Sequence, residues 1–76
     1  MIQETSSVLH HYGRNYQYGI GVEKDEKKAF EHYMKSAKME YIAAINDVGY
    51  CYENGIGVEK DENKAFIYYQ KSADMG

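Results

Sequence analysis

The sequence predicts an all-α fold: an α-α superhelix (solenoid) in which two helical hairpins, four helices in all, stack side by side. The first observation is a repeat, because the eight residues 19–26 recur unchanged as residues 55–62, a shift of 36 positions. Between residues 13–39 and 49–75, 18 of 27 aligned positions are identical. The second observation is that apolar residues recur at helical spacing on both sides of this run. A period of this size is typical of stacked helical-repeat proteins.

Each repeat is expected to consist of a helix, a short link with two glycines, and a second helix. The four expected helices cover about residues 6–18, 26–39, 42–54 and 62–75. Gly19 and Gly55 each follow a first helix and are expected to adopt positive φ, which ends a helix. Asp25 and Asp61 are expected to be N-caps of the second helices. We therefore treat residues 1–76 as one module, with repeat 1 at about 4–39 and repeat 2 at about 40–76.

The apolar stripes of the four helices are expected to meet in one continuous core. Its expected members are Ala29, Phe30, Tyr33, Val48, Tyr52, Ala65, Phe66 and Tyr69. Gly13 interrupts the stripe of the first helix, so we expect a neighbouring helix to approach closely there. We expect Val22, in the first link, to fold back into the core.

Composition limits the classes of partner. The net charge of -3 gives no basic surface for a phosphate backbone, so nucleic acid is not an expected partner. No apolar run approaches the ~20 residues that cross a bilayer. Residues 1–7 lack the regions of a signal peptide, and the single cysteine cannot form an internal disulfide. We therefore expect an intracellular, cytoplasmic protein with no membrane contact.

The sequence contains no recognisable catalytic or metal-binding set, so we expect no enzyme activity and no cofactor. His10 and His11 are adjacent and point about 100° apart on a helix, so they cannot chelate one ion from one face; ordinary helix-surface histidines are expected. Cys51 lies near a helix C-terminus, where the dipole disfavours a thiolate, so we expect an unreactive thiol. In each link the glycines precede an aspartate, Asp25 or Asp61, that would repel phosphate. A structural turn is favoured over a phosphate loop.

A set of residues in the second copy resembles the pattern of a known repeat family. They are Gly49, Tyr52, Gly55-Ile56-Gly57-Val58, Asp61, Lys64-Ala65, Tyr68-Tyr69, Lys71-Ser72-Ala73 and Gly76. In this order and spacing they resemble the Sel1-like repeat, a relative of the tetratricopeptide repeat. The first copy fits the same pattern, and the two copies together cover nearly the whole chain. In this chain Glu40 stands where such a repeat usually ends in glycine, so a less sharp turn is expected there.

The resemblance implies a right-handed α-solenoid whose inner surface is lined mainly by the first helix of each repeat. It also implies a non-catalytic protein–protein interaction module, a scaffold or adaptor of the kind that assembles complexes in signalling. Some cysteine-rich members have been labelled β-lactamases, but this chain has neither their paired cysteines nor a Ser-x-x-Lys tetrad. The alternative interpretation is a structural spacer or oligomerising segment of a longer array, with no ligand groove of its own, attached in some relatives to a kinase-like or other domain.

Residues that differ between the two copies are the candidates for recognition, since the shared residues specify the repeat. On the first helices, the expected partner-binding residues are His10, Arg14, Tyr18, Asn46, Tyr50 and Asn54. Spacing of i, i+4 places them in two rows that are expected to line a shallow groove for a protein or peptide. The alternative is that these side chains are merely solvated.

Self-association is a further expectation. Each hairpin buries its apolar face against the next one, and about three repeats are usually needed for stability. With two repeats, the apolar face that includes Phe66 and Tyr69 is expected to be only partly covered. A second copy is therefore a possible partner at this end.

Overall fold

The computed structural model describes residues 5–76 as four α-helices, whose bounds match the predicted ones to within one residue. The helices are α1 (Ser6–Tyr18), α2 (Glu26–Lys38), α3 (Ile42–Asn54) and α4 (Glu62–Met75). They pack mainly in chain order, α1 on α2, α2 on α3 and α3 on α4. Among residues 5–76 there is no strand, so the predicted all-α class is confirmed. The expected start of the first repeat, near residue 4, lies outside the described residues.

The ends of the helices are fixed by the residues that the sequence indicates. The Asp25 and Asp61 carboxylates accept hydrogen bonds from the backbone N–H of Lys28 and Lys64, at 3.1 and 3.0 Å. These bonds satisfy donors that the first turn of a helix leaves free. Gly19 and Gly55 both have a φ of +68°, so the predicted left-handed ends of α1 and α3 are confirmed.

The core lies around α2 and α3, which each have a neighbouring helix on both sides. Its buried members are Ala29, Tyr33, Ala37, Ala44, Ile45, Val48, Cys51, Tyr52 and Ala65. The predicted close approach at Gly13 is confirmed, because a Cβ there would lie 2.5 Å from the Tyr33 ring. Gly49 plays the same part beside Tyr69 in the second hairpin. A glycine on the first helix of each repeat thus allows the tyrosine of the second helix to pack against its backbone.

The two repeats touch through the second link and α2. A Cβ on Gly57 would overlap the carbonyl oxygen of Glu26 and lie 3.0 Å from the Lys27 Cα. Beside this contact the rings of Phe30 and Tyr52 meet edge to face, with centroids 5.4 Å apart. The second link therefore packs on the first turn of α2, and the Phe30–Tyr52 ring pair packs beside it at the junction.

The prediction that Val22 and Phe66 enter the core is wrong, whereas the exposure of Phe66 agrees with the expectation that its face is only partly covered. Val22 is 41% exposed and Phe66 is 66% exposed, whereas their repeat equivalents Val58 and Phe30 are half-buried against the core. The equivalent residues are covered because each faces the other repeat. Position in the stack, and not residue type, decides which copy is buried.

The expectation of a less sharp turn at Glu40 is also wrong. Glu40 itself adopts the left-handed conformation, with a φ of +62°. Its backbone N–H donates to the carbonyl of Ala37 at 2.9 Å, which closes the end of α2. The tight turn is thus kept without glycine, at a cost of about 1–2 kcal/mol in backbone strain.

The contact at Gly57 can be separated from backbone strain by comparing Gly57→Ala with Gly21→Ala. Both positions have positive φ, so each substitution should cost about 1–2 kcal/mol from that source. Nothing lies within 4 Å of a Cβ on Gly21, whereas the methyl on Gly57 meets the backbone of α2. We expect Gly57→Ala to be worse by roughly 1–3 kcal/mol in urea unfolding. Equal losses would contradict the stacking of the link on α2.

A second matched pair tests the difference in burial. Phe30→Ala removes a half-buried ring at the junction and should lower the free energy of unfolding by about 2 kcal/mol. Phe66→Ala changes an exposed ring at the equivalent position and should cost less than about 0.5 kcal/mol in dilute solution. Thermal melting followed by circular dichroism would check this. Equal effects would mean that the two positions have the same surroundings.

Candidate functional site: the groove between α1 and α3

An open groove of about 320 Å³ lies between α1 and α3. It is lined by His10, Arg14, Gln17, Tyr18, Tyr33, Ala43, Asn46, Asp47 and Tyr50. Five of the six residues predicted from the sequence therefore lie together. The groove spans the two repeats, because α1 belongs to the first and α3 to the second.

The floor of the groove is a fixed hydrogen bond between two buried side chains. The Tyr33 hydroxyl donates to Gln17 Oε1 at 2.6 Å. Burial raises the pKa of the Tyr33 phenol, so the hydroxyl stays protonated and keeps donating. Because the Gln17 oxygen is engaged, its amide N–H groups are the part of that side chain available to a bound molecule. Both residues were missing from the predicted site.

His10 and Asp47 join the two repeats at one wall of the groove. His10 Nε2 lies 2.5 Å from Asp47 Oδ2, and the His10 side chain is almost buried. Its ring also packs against the rings of Tyr33 and Tyr41, with centroids 5.7 and 5.5 Å away. The expectation that His10 is a surface histidine is therefore wrong, and this side chain holds α1 to α3.

The charge of Asp47 reflects two opposing influences. Burial raises the pKa of the Asp47 carboxyl, while the hydrogen bond from His10 and the nearby Arg14 guanidinium act in the opposite direction. Burial is the larger influence, so the pKa lies above its ordinary value. The carboxylate is engaged with His10 within the protein.

The rim of the groove carries the side chains that are free to contact a partner. Arg14, Asn46 and Tyr50 are exposed, as is Tyr18 at 59%. Among residues 5–76, the Arg14 guanidinium forms no ion pair. The rim thus combines one cation, one amide and two aromatic rings around the Gln17 amide.

Asn54 does not line the groove. Its side-chain amide donates to the Tyr50 carbonyl oxygen at 3.0 Å, one helical turn back along α3. The structure therefore separates Asn54 from the other five predicted residues. An asparagine near the end of a helix commonly bonds to its own backbone in this way.

The thiol of Cys51 lies in the core and not at a surface. Its side chain is fully buried, and burial, with the nearby Asp47 and Glu26 carboxylates, raises the pKa of the thiol to about 12. The structure agrees with the unreactive thiol expected from the sequence. Within residues 5–76, no three histidine, cysteine, aspartate or glutamate side chains converge on a point. None of the helices in this part of the chain has the length and apolar character needed to span a bilayer.

The burial of Cys51 gives a prediction for chemical labelling. A disulfide reagent such as Ellman's reagent should react with native Cys51 more slowly than with the unfolded chain by roughly two to three orders of magnitude. Loss of access and loss of thiolate act in the same direction. Labelling of the folded chain at the rate of a free thiol would contradict the placement of Cys51.

The fold defines a class of protein: a helical-repeat module of two stacked hairpins, here with an open groove between α1 and α3. A family model named "Sel1 repeat" matches residues 6–41 and 42–76, so the chain belongs to the Sel1 repeat family. Repeats of this family generally mediate protein–protein interactions and are typically non-catalytic.

A solved structure extends the comparison. The chain is similar to a Sel1 repeat protein from Oxalobacter formigenes, with 34% sequence identity and a TM-score of 0.91. The match covers 93% of this chain and 29% of that protein, so this chain spans less than a third of the length of its relative. No curated protein sequence matches the chain significantly.

Proposed function

We propose that this chain is a non-catalytic interaction module that binds an extended protein segment in the groove between α1 and α3. The observation that carries the proposal is the grouping of Arg14, Asn46 and Tyr50 with Tyr18 around one open groove. These residues differ between the two copies, so the repeat fold does not require them. Their clustering on one surface supports recognition.

The chemistry of the rim indicates the kind of segment that fits. A guanidinium without an internal partner pairs best with a carboxylate, which it can bind through two parallel hydrogen bonds. Tyr18 and Tyr50 offer ring surface to an apolar side chain, and tyrosine and arginine are common at the energetic centre of interfaces. The amides of Gln17 and Asn46 can bond to the main chain of the segment. The preferred ligand is therefore an acidic residue next to an apolar one.

The groove residues have two separate tasks in this proposal. His10 and Asp47 hold the walls together, since their polar groups are engaged with each other. Arg14, Tyr18 and Tyr50 make the contacts with the partner. This division predicts that the two sets respond differently to substitution: loss of the first should distort the groove, and loss of the second should leave it intact but weaken binding.

Peptide binding provides the test. Ligands would be selected from a random peptide library on the 76-residue chain, and their affinity measured by fluorescence anisotropy. We expect Arg14→Ala and Tyr50→Ala each to weaken binding by roughly tenfold, because interface anchors typically contribute about 1–2 kcal/mol. The helical circular dichroism signal should stay unchanged, since both side chains are exposed. The Arg14 contribution should decline as salt concentration rises.

The matched controls are Lys35→Ala and Lys71→Ala, which change exposed cations on α2 and α4 away from the groove. Both variants should bind like the parent chain. If they abolished binding while Arg14→Ala and Tyr50→Ala did not, the groove would be the wrong surface. A library that yields no peptide sensitive to the groove variants would likewise contradict the proposal.

A further inference from the structure

Two surfaces form the junction between the repeats, one from each repeat. Because the repeats are similar, an equivalent of each surface lies at one end of the stack, where no second repeat packs against it. The surface carried by repeat 2 includes Tyr52 and residues 56–58, and its equivalent in repeat 1 is Tyr16 with residues 20–22, here called the N-face. The surface carried by repeat 1 includes Phe30, and its equivalent in repeat 2 includes Phe66, here called the C-face. Tyr16 is half-buried against His32 and Lys28 of its own repeat, but among residues 5–76 neither face has a second repeat packed against it.

Exposure follows this arrangement position by position. Ile56 and Val58 are half-buried at the junction, while Ile20 and Val22 on the N-face are exposed. Phe30 is half-buried, while Phe66 on the C-face is 66% exposed. The same residue types are therefore covered where the two repeats meet and bare at the ends. The N-face and the C-face are therefore equivalent to the two surfaces that already pack together at the junction.

The backbone contact can be repeated in the same way. At the junction, the first turn of α2 rests against Gly57, where a side chain would overlap the Glu26 carbonyl. The equivalent residue on the N-face is Gly21, and nothing lies within 4 Å of the corresponding point. The first turn of α4, at Glu62, has the same sequence position as Glu26. A second copy can therefore place its Glu62 against Gly21 without a clash.

Two side-chain pairs support a second copy as the occupant. In each pair, both residues differ from those at the junction, and the two replacements are complementary to each other. At the junction the Tyr68 hydroxyl donates to Met34 Sδ at 3.7 Å. The equivalent positions are His32 on the N-face side and Gln70 on the C-face. His32 Nδ1 donates to the Lys28 carbonyl at 2.8 Å, which leaves Nε2 of the neutral ring as an acceptor for an amide. His32 and Gln70, which stand where the junction has Tyr68 and Met34, can therefore form a hydrogen bond between two copies.

The second pair lies on the groove side. Within the chain, His10 bonds to Asp47 across the junction. The equivalent positions are Asn46 and His11, both exposed. An amide and an imidazole can each donate and accept, so these side chains are complementary as well.

We propose that the C-face of one copy binds the N-face of a second copy, and that the two copies continue the repeat stack from one molecule into the next. Phe66 then meets Tyr16 of the second copy edge to face, as Phe30 meets Tyr52. The contact is head to tail, so each copy keeps a free face of each kind and chains of copies can grow. Growth also extends the groove, because Asn46 and His11 of successive copies become its next wall.

Charge-blocked variants test the proposal. Phe66→Glu blocks the C-face and Ile20→Glu blocks the N-face, and both sites are exposed enough for the monomer to fold. Sedimentation velocity would follow each protein over an about hundredfold range of concentration. We expect the parent to associate as concentration rises, and each variant alone to need an at least ~tenfold higher concentration. An equimolar mixture should form a dimer with one copy of each variant, since each retains the face that the other lacks.

The control is Ile67→Glu. Ile67 is 61% exposed beside Phe66, but its equivalent in repeat 1 is the exposed Glu31, which lies outside the junction. This variant should associate like the parent. The proposal is overturned if the parent stays monomeric throughout, if either blocked variant associates alone like the parent, or if the mixture forms no dimer. Association through one face with itself would appear as self-association of one blocked variant.

Discussion

The contact between the second link and the first turn of α2 determines how the two repeats are placed. At Gly57 the backbone of the link comes so close to Glu26 and Lys27 that only hydrogen fits between them. This close approach brings the rings of Phe30 and Tyr52 together and orients α3 against α2. Since the helices within each hairpin are already fixed by Gly13 and Gly49, one junction completes the fold.

The groove is a consequence of that junction. Stacking brings α1 of the first repeat beside α3 of the second, and the His10–Asp47 bond holds them at that spacing. The rim side chains Arg14 and Tyr50 are exposed and occupy equivalent positions in the two copies, where the residue types differ. The exposed rim can therefore differ between repeats without changing how the helices pack.

Much of the fold could be predicted from the sequence because its signals are local. Cap residues and the 3.6-residue period gave the helix bounds to within one residue, and the copy-to-copy differences indicated five of the residues that line the groove. The burial of His10 could not be predicted, since its partner Asp47 lies on another helix and only the stacking brings them together. The sequence predicted the exposure of Phe66 only as a partly covered face at one end of the stack, because an identical sequence in two repeats has different neighbours.

The places of Cys51 and Gln17 are only partly predictable from the sequence. Cys51 lies three residues after Val48 and so falls on the buried stripe of α3. The expected core included Val48 but not Cys51. Gln17 differs from its equivalent, Glu53, and was a visible candidate for the groove. Its role depends on the hydroxyl of Tyr33, however, and no spacing rule connects those two positions.

The most direct test of the repeat junction is a solution NMR measurement of proton contacts across it. Nuclear Overhauser cross-peaks are expected between the α protons of Gly57 and Lys27, and between the rings of Phe30 and Tyr52. Both sets of cross-peaks should be present in the dilute monomer. Two intact hairpins without either set would contradict the stacked arrangement and the groove that depends on it.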